Sequence, residues 1–297
     1  MQKKISLQIC SYNRKDLLRK TLVSLTDQTF PFDQYEVIVV DDGSTDGTAE
    51  MVENFKAPFD LIFIRQEKAG LASGRNKGVS KARGEIILFI DDDVLADPNL
   101  IQEHVFFHEK RPNSIVRGWV NHVEKAERPA KPKWTWKDFS TSSFWTSNVS
   151  VRRSDLLEVG LFDEDFKEYG WEDLELGLRL KKLGLSTYCH SRAIGYHVKK
   201  KLKASDIPAL LKQAEAKGRT AVLFVEKQPV WRAKLSTGVY PARLALDAVL
   251  SNSIFLKIYQ KGIPTNGNEL NFWSNFCAQS LVSAHYFKTI RKILNQR

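Results

Sequence analysis

The chain has 297 residues, of which 42% are hydrophobic and 27% charged, with a formal net charge of +10. This is ordinary globular composition, which excludes a disordered polymer and allows one large domain, or one domain with an appendage. No run of about 20 apolar residues occurs, so no hydropathic membrane span is expected. The opening "MQKKISLQICSYNR" lacks a signal peptide's apolar stretch.

Short apolar strands alternate with helical stretches from the start. "ISLQIC" (5–10) reads as a strand and 15–27 as a Leu-bearing helix. "YEVIVVDDGS" (35–44) precedes a helix near 46–55, and "DLIFIRQ" (60–66) precedes one near 72–83. "EIILFIDDD" (85–93) precedes another near 98–109. Repeated strand–helix units with continuous apolar strands predict an α/β fold, a mostly parallel sheet with helices on both faces. In such folds ligands collect beyond the carboxyl ends of the strands. Those ends are polar here: "CSYNR", "DDGSTDGT", "GLASGRNKG" and "DDD". One such cluster is ordinary turn chemistry, but four in succession indicate a site.

Between 111 and 147 the pattern becomes irregular, with Trp134, Trp136, Phe144 and Trp145 interleaved with Pro, Lys, Ser and Thr. These rings read either as core or as stacking platforms for sugars. "GWEDLELGLRLKKLGL" has helical spacing at Leu174, Leu178 and Leu183. Cys189-His190 lacks a second ligand pair at metal spacing and reads as core. The three cysteines, Cys10, Cys189 and Cys277, are far apart and odd in number, which predicts reduced thiols in a cytoplasmic protein.

Beyond Lys199 the sequence predicts helices at 205–218, 219–227, around 239–261 and at 269–295. Residues 198–297 hold 17 Lys/Arg against 5 Asp/Glu, so the basicity belongs to this last third. A domain spanning 1–200 followed by a basic helical extension over 201–297 is expected. The extension reads as either a packing element or an amphipathic surface for anionic membranes. No nucleic-acid module is evident, and no nucleic acid is expected as partner.

The adjacent Asp91, Asp92 and Asp93 are the strongest chemical signal. Like charges ~4 Å apart cost about 1 kcal/mol in water and several times that near a protein surface. Solvation, protons or a cation must compensate. A hard divalent ion such as Mn²⁺ or Mg²⁺ suits carboxylate oxygens together with substrate phosphates, with Asp93 as ligand and Asp91 on a ribose hydroxyl. Glu172-Asp173 opens a helix, where acidic residues complement the dipole or serve as a base.

The series "SYNR", "VVDDGSTDGT", "GLASGRNKG", "FIDDDV", "TSNVSVRR", "FDEDF" and "GWEDLELGLRL" resembles, in order, the inverting family-2 glycosyltransferases of the GT-A (Rossmann-like) fold. The resemblance covers roughly 5–197. It implies a nucleotide-sugar donor, usually a UDP-sugar, with Cys10, Ser11, Tyr12, Asn13, Arg14 and Asp41 around the nucleobase. Gly70 and Asn76 would line the same pocket. Asp91 and Asp92 would face the nucleotide sugar, and Asp93 with His197 would hold Mn²⁺ or Mg²⁺. His197 is taken to follow the last strand. The resemblance further implies Asp173 as catalytic base with Glu172 beside it, and Trp171, Glu172 and Asn148 near an acceptor glycan or lipid-linked glycan. Lys199-Lys200-Lys201 reads as part of a lid over the diphosphate or as a solvated run. Bacterial relatives commonly act on lipid-linked glycans at the inner leaflet, which suits a cytoplasmic, peripheral enzyme of envelope polysaccharide synthesis. A nucleotidyltransferase of related fold, or an inactive carbohydrate-binding protein, are the competing readings.

Overall fold

The computed structural model describes residues 3–135, 138, 142–264 and 269–296; Trp136 lies outside them. The chain divides into two compact units, Met1–Lys167 with Asp173–Lys200, and Glu168–Glu172 with Lys201–Arg297.

The first unit is built on an eight-stranded sheet. Its strands are β1 (Ile5–Ser11), β2 (Tyr35–Asp41), β3 (Asp60–Arg65), β4 (Ile86–Ile90), β5 (Val94–Ala96), β6 (Ser114–Val123), β7 (Asn148–Arg152) and β8 (Ser186–Val198), in the order β3-β2-β1-β4-β7-β6-β8-β5. The β3-β2-β1-β4 half is parallel, as expected. Beyond it β7 runs antiparallel to both β4 and β6, β8 runs parallel to β6, and β5 is antiparallel to β8.

Side chains alternate across the strands. Ile5, Leu7, Ile9, Val37 and Val39 enter one apolar layer, and Ile38, Val40, Ile87 and Phe89 enter the other. Helices α1 (Lys15–Ser24) and α4 (Leu100–Lys110) send Leu18, Leu22, Leu100 and Ile101 into the first layer. Helices α3 (Leu71–Lys81), α5 (Arg153–Glu158) and α6 (Glu172–Lys182) send Val79, Leu156, Leu176 and Leu180 into the second. A short α2 (Thr48–Glu53) follows β2.

Three expectations change in this unit. The stretch after Asp93 continues as β5 instead of turning directly into a helix. His197 lies inside β8, paired to Val94 of β5 and His122 of β6, not beyond the last strand. Cys189 is exposed and His190 is only partly covered, with Nε2 2.6 Å from Glu103 Oε2. β5 pairs with residues 195–197 only, so it leaves the start of β8 uncovered.

A buried polar chain fixes the register of the second half-sheet. Between Gly118 and Trp119 the β6–β8 pairing jumps from His190 to Ile194. The Asn148 amide plugs this bulge, donating to the carbonyls of Trp119 (3.2 Å) and Ala193 (3.0 Å). A Cβ on Gly118 would lie 2.2 Å from Asn148 Nδ2, so only glycine fits there. With its amide N–H groups committed, Asn148 Oδ1 must accept from His104 Nε2 (2.9 Å). His104 Nδ1 then accepts from Ser150 Oγ (2.7 Å), and that hydroxyl accepts from His108 Nε2 (2.8 Å).

The second unit is helical: α7 (Ile207–Lys227), α8 (Trp231–Thr237), α9 (Pro241–Leu250), α10 (Ser253–Lys261) and α11 (Phe272–Asn295). The break predicted at 218/219 is absent. Gly218 instead lets α11 approach α7, since a Cβ there would lie 2.7 Å from the Tyr286 carbonyl oxygen. The stretch around 239–261 is two helices, divided where the Asn252 side chain accepts from the Ile254 and Phe255 N–H groups. α8 was not anticipated. No described helix is long and apolar enough to cross a membrane.

The histidine chain makes stability depend on acid. Burial pushes His104 down from 6.5 to about 3 and His108 down to about 4. The folded state therefore binds fewer protons than the unfolded one below pH 6.5, and stability present above that pH is lost as pH falls toward 4. The expected loss by pH 4 is on the order of 3 kcal/mol for each histidine. Thermal unfolding followed from pH 7 to 4 should show it, and His104→Gln should flatten the pH slope even though it lowers the melting point at pH 7.

Candidate active site at the strand ends

The carboxyl ends of β1, β2 and β4 bring Ser11, Asp41 and Asp91–Asp93 to one edge of the first unit. The backbone locks this edge: Val198 N–H donates to the Asp93 carbonyl at 2.8 Å, holding β8 against the residue that precedes β5.

The three carboxylates have different surroundings. Asp91 accepts from Ser147 Oγ. Asp92 turns inward, accepting from Ser11 Oγ (2.8 Å) and Arg14 Nη1 (3.0 Å), while its carbonyl accepts from Thr21 Oγ1 (2.9 Å). Burial pushes Asp92 up to about 6, against the pull of Arg14 and with a further push from Asp93. Asp93 takes Arg14 Nη1 on Oδ2 at 2.7 Å and has His197 Nε2 3.2 Å from Oδ1. Burial would raise Asp93, but His197 and Arg14 outweigh it and hold the carboxyl below its ordinary value. Burial would likewise lower His197, yet Asp93 and then Asp91 raise it.

Asp91, Asp93 and His197 each offer one ligand atom, all within 4.8 Å of one another. Asp93 Oδ1 is buried and receives no hydrogen bond of good geometry among the described residues. Two carboxylate oxygens and an imidazole nitrogen make a donor set that fits Mn²⁺ or Mg²⁺, the nitrogen favouring Mn²⁺. Asp91, expected on a ribose, thus joins Asp93 and His197, whereas Asp92 faces Ser11 and Arg14 as an internal brace.

On the β1–β2 side, Asp41 is fully buried. Its Oδ1 accepts from Ser44 N–H at 3.1 Å, while Oδ2 receives no hydrogen bond among the described residues, with Arg65 Nε 3.6 Å away. Asn13 has φ 52°, a left-handed conformation that asparagine tolerates. It ties β1 to the β2 loop through its N–H to Ser44 Oγ and its Oδ1 from Thr45 N–H, both 2.8 Å. Tyr12 is exposed, with Lys68 Nζ 3.9 Å from its ring centre. Burial pushes the Cys10 thiol up to about 11, so it stays neutral. Gly70 opens α3 with its N–H donated to Asp42 Oδ2 at 3.0 Å. The Asn76 amide is engaged with Phe162 and Glu164, so it holds the "FDEDF" loop.

Of the acceptor-side residues, Asn148 is occupied by the bulge of β6–β8 and is 1% exposed. Glu172 and Asp173 open α6; Asp173 Oδ1 accepts from Leu174 N–H at 2.7 Å, and Glu172 Oε2 accepts from Gly170 N–H at 3.1 Å. Trp171, at φ 73°, belongs to the second unit, where its indole stacks on Phe224 and donates to the Lys217 carbonyl at 3.0 Å.

Sequence reading missed two residues. His122 lies in register beside His197, their ring centres 5.3 Å apart. Its Nδ1 is 2.9 Å from Asp138 Oδ1, and Asp138 also accepts from Trp119 Nε1, Asn121 Nδ2 and Thr135 Oγ1. These donors outweigh burial and hold Asp138 at about 2, while burial pushes His122 down. Strand pairing makes His122 a neighbour of the site, and Asp138 follows from its hydrogen bonds to His122; spacing carries no trace of either.

The model of the family described as Glycosyl transferase family 2 matches residues 6–162. The chain belongs to glycosyltransferase family 2. Bacillus subtilis "Uncharacterized glycosyltransferase YfnE" is 33% identical over 253 residues, covering 65% of this chain and 64% of that one. The Campylobacter jejuni "GalNAc(5)-diNAcBac-PP-undecaprenol beta-1,3-glucosyltransferase" is 32% identical over 185 residues, covering 57% of each. The chain therefore spans less than two thirds of either relative. Among solved structures, a Pyrobaculum calidifontis mannosyltransferase in complex with GDP-Man and Mn²⁺ aligns with TM-score 0.63 and 18% identity over 98% of this chain and 88% of its own. That likeness shows the GT-A fold of this family-2 member.

Calorimetric titration with Mn²⁺ checks the donor set. Asp93→Ala and His197→Ala should each weaken uptake by ~100-fold or more, and Asp173→Ala should leave it unchanged. Equal uptake by all three variants would remove the assignment.

Proposed function

We propose that this chain is a divalent-metal-dependent inverting glycosyltransferase, moving a sugar from a nucleotide donor, a UDP-sugar in our reading, to a hydroxyl of a glycan or lipid-linked glycan. The observation that carries the proposal is the Asp91–Asp93–His197 donor set at the strand ends of a family-2 fold. The Mn²⁺ and GDP-Man of the mannosyltransferase and the lipid-linked acceptor of the Campylobacter relative support the chemistry by analogy. We assign the work to the cytoplasm, which the free thiols of Cys10, Cys189 and Cys277 favour.

When bound, the cation supplies positive charge that stabilises the leaving nucleoside diphosphate. The chain's own residues do the rest. The unsatisfied Asp41 Oδ2 accepts a nucleobase N–H, with Asn13 holding the surrounding loop in place. Tyr12 offers an exposed ring beside the base, and Ser11 and Arg14 keep Asp92 and Asp93 oriented. Asp173 takes the proton of the acceptor hydroxyl as its oxygen attacks the anomeric carbon, and Glu172 hydrogen-bonds the acceptor. A base of this kind needs only reach and a carboxylate, and it contributes about 10²–10⁴-fold.

Release of UDP from a panel of UDP-sugars, with Mn²⁺ or with a chelator, tests the reading, and GDP-sugars form the comparison arm. We expect slow metal-dependent release of the diphosphate without acceptor. Asp173→Asn should slow transfer by ~10²–10⁴-fold while donor binding persists. If no donor is hydrolysed, and Asp93→Ala binds UDP as well as the parent does, the proposal fails. Pyrophosphate release from a nucleoside triphosphate and a sugar phosphate would instead identify a nucleotidyltransferase.

A further inference from the structure

Besides its buried clusters, the helical unit leaves large apolar side chains exposed on three consecutive helices. A helix that packs on its neighbours ordinarily buries its apolar stripe and exposes its charges. α9 does the reverse: Asp247 is buried against Arg291 and Ser251, while Leu246 and Val249 face solvent. α10 continues the pattern with Ile254, 67% exposed, and Ile258. α11 begins with Phe272, 91% exposed, and Trp273. α10 and α11 are packed together beneath these residues, the buried Tyr259 ring meeting that of the exposed Phe276 at 6.3 Å, and Phe276 stacks on Trp273 at 5.6 Å. Patches of this kind mark a docking surface.

Charge selects the occupant. Residues 201–297 hold 15 Lys/Arg against 5 Asp/Glu. A second copy would bring the same excess of positive charge to the contact, and cores of protein interfaces are depleted of charge. An anionic lipid surface accepts both features: Phe and Trp enter at headgroup depth, and Lys257 and Lys261, exposed and three residues beyond Ile254 and Ile258, remain among the phosphates. With no described helix able to span a bilayer, the contact lies on the surface.

We propose that the edge formed by α9, α10 and the first turn of α11 docks on an anionic bilayer, with Phe272 and Trp273 as its inserting side chains. This deepens the lipid-linked acceptor reading by naming the surface on which such an acceptor is met. It stands on the helical unit alone, so vesicle binding read without metal or donor can succeed where the transfer assay fails, and the reverse.

Vesicle flotation of the full chain tests it. The protein should float with vesicles of phosphatidylethanolamine and phosphatidylglycerol, float poorly with phosphatidylcholine, and be released as salt rises. The double variant Phe272→Ser/Trp273→Ser should partition ~10-fold or more weakly. Phe272 is almost wholly exposed and Trp273 half exposed, so its thermal unfolding should stay close to the parent's; Lys257→Glu/Lys261→Glu is a second surface variant that should also lose binding. Absence of flotation on the anionic vesicles overturns the proposal, as does undiminished binding by both variants. So does a dimer in solution that Phe272→Ser/Trp273→Ser dissociates while the parent shows no affinity for vesicles.

Discussion

Three carboxylates on consecutive residues repel one another, and their surroundings decide which of them can remain charged. In water the cost is about 1 kcal/mol per close pair, and at an effective protein dielectric it is about 4 kcal/mol. The chain divides the burden by direction. Asp92, buried against Ser11, has its proton affinity raised to about 6. Asp93, between Arg14 and His197, stays charged despite burial. Asp91, held by the Ser147 hydroxyl, completes the donor set with Asp93 and His197. Strand, turn and charge are therefore one structural problem: β4 delivers the carboxylates, Arg14 balances two of them, and β8 delivers His197.

His197 faces His122 because a bulge is held open between β6 and β8. Without the Asn148 plug, β6 and β8 would pair in the register set by Gly118 and His190, and His197 would not stand opposite His122. Asn148 is in turn held by His104, and His104 through Ser150 by His108. A buried chain in which every proton is assigned specifies one register and excludes its neighbours. The same chain explains why two histidines can remain uncharged in the interior, since a proton on either would lack an acceptor.

The parallel half of the sheet was legible in the sequence because its information is local. Apolar runs gave β1 to β4, and polar strand ends gave Ser11, Asp41 and Asp91–Asp93. The antiparallel half was not, because its meaning lies in pairing. β5 is three residues inside what reads as a turn, and His122 is 75 positions from the residue it faces. Asn148 was read as a substrate contact from its motif, yet its contacts are those of a scaffold. In the helical unit, Gly218 reads locally as a place where helices stop, whereas the close approach of α11 makes it the place where one passes.

Arg14 connects the fold's charge balance to its chemistry. It spans Asp92 and Asp93 with one nitrogen, although its side chain is about half exposed. A monovalent guanidinium against three acidic groups leaves residual negative charge at the strand ends, and that residue is what a divalent ion would neutralise. The carboxylates are thus already held together before any ligand arrives, which lowers the cost of assembling the ligand set. Burial of Asp92 matters here as well: with its carboxyl pushed up to about 6 it is ionised only in part near that pH, and where it is ionised Ser11 and Arg14 hold its charge. The acidic cluster is tolerated because one member is made weakly acidic, one is paired twice, and one is left to face the site.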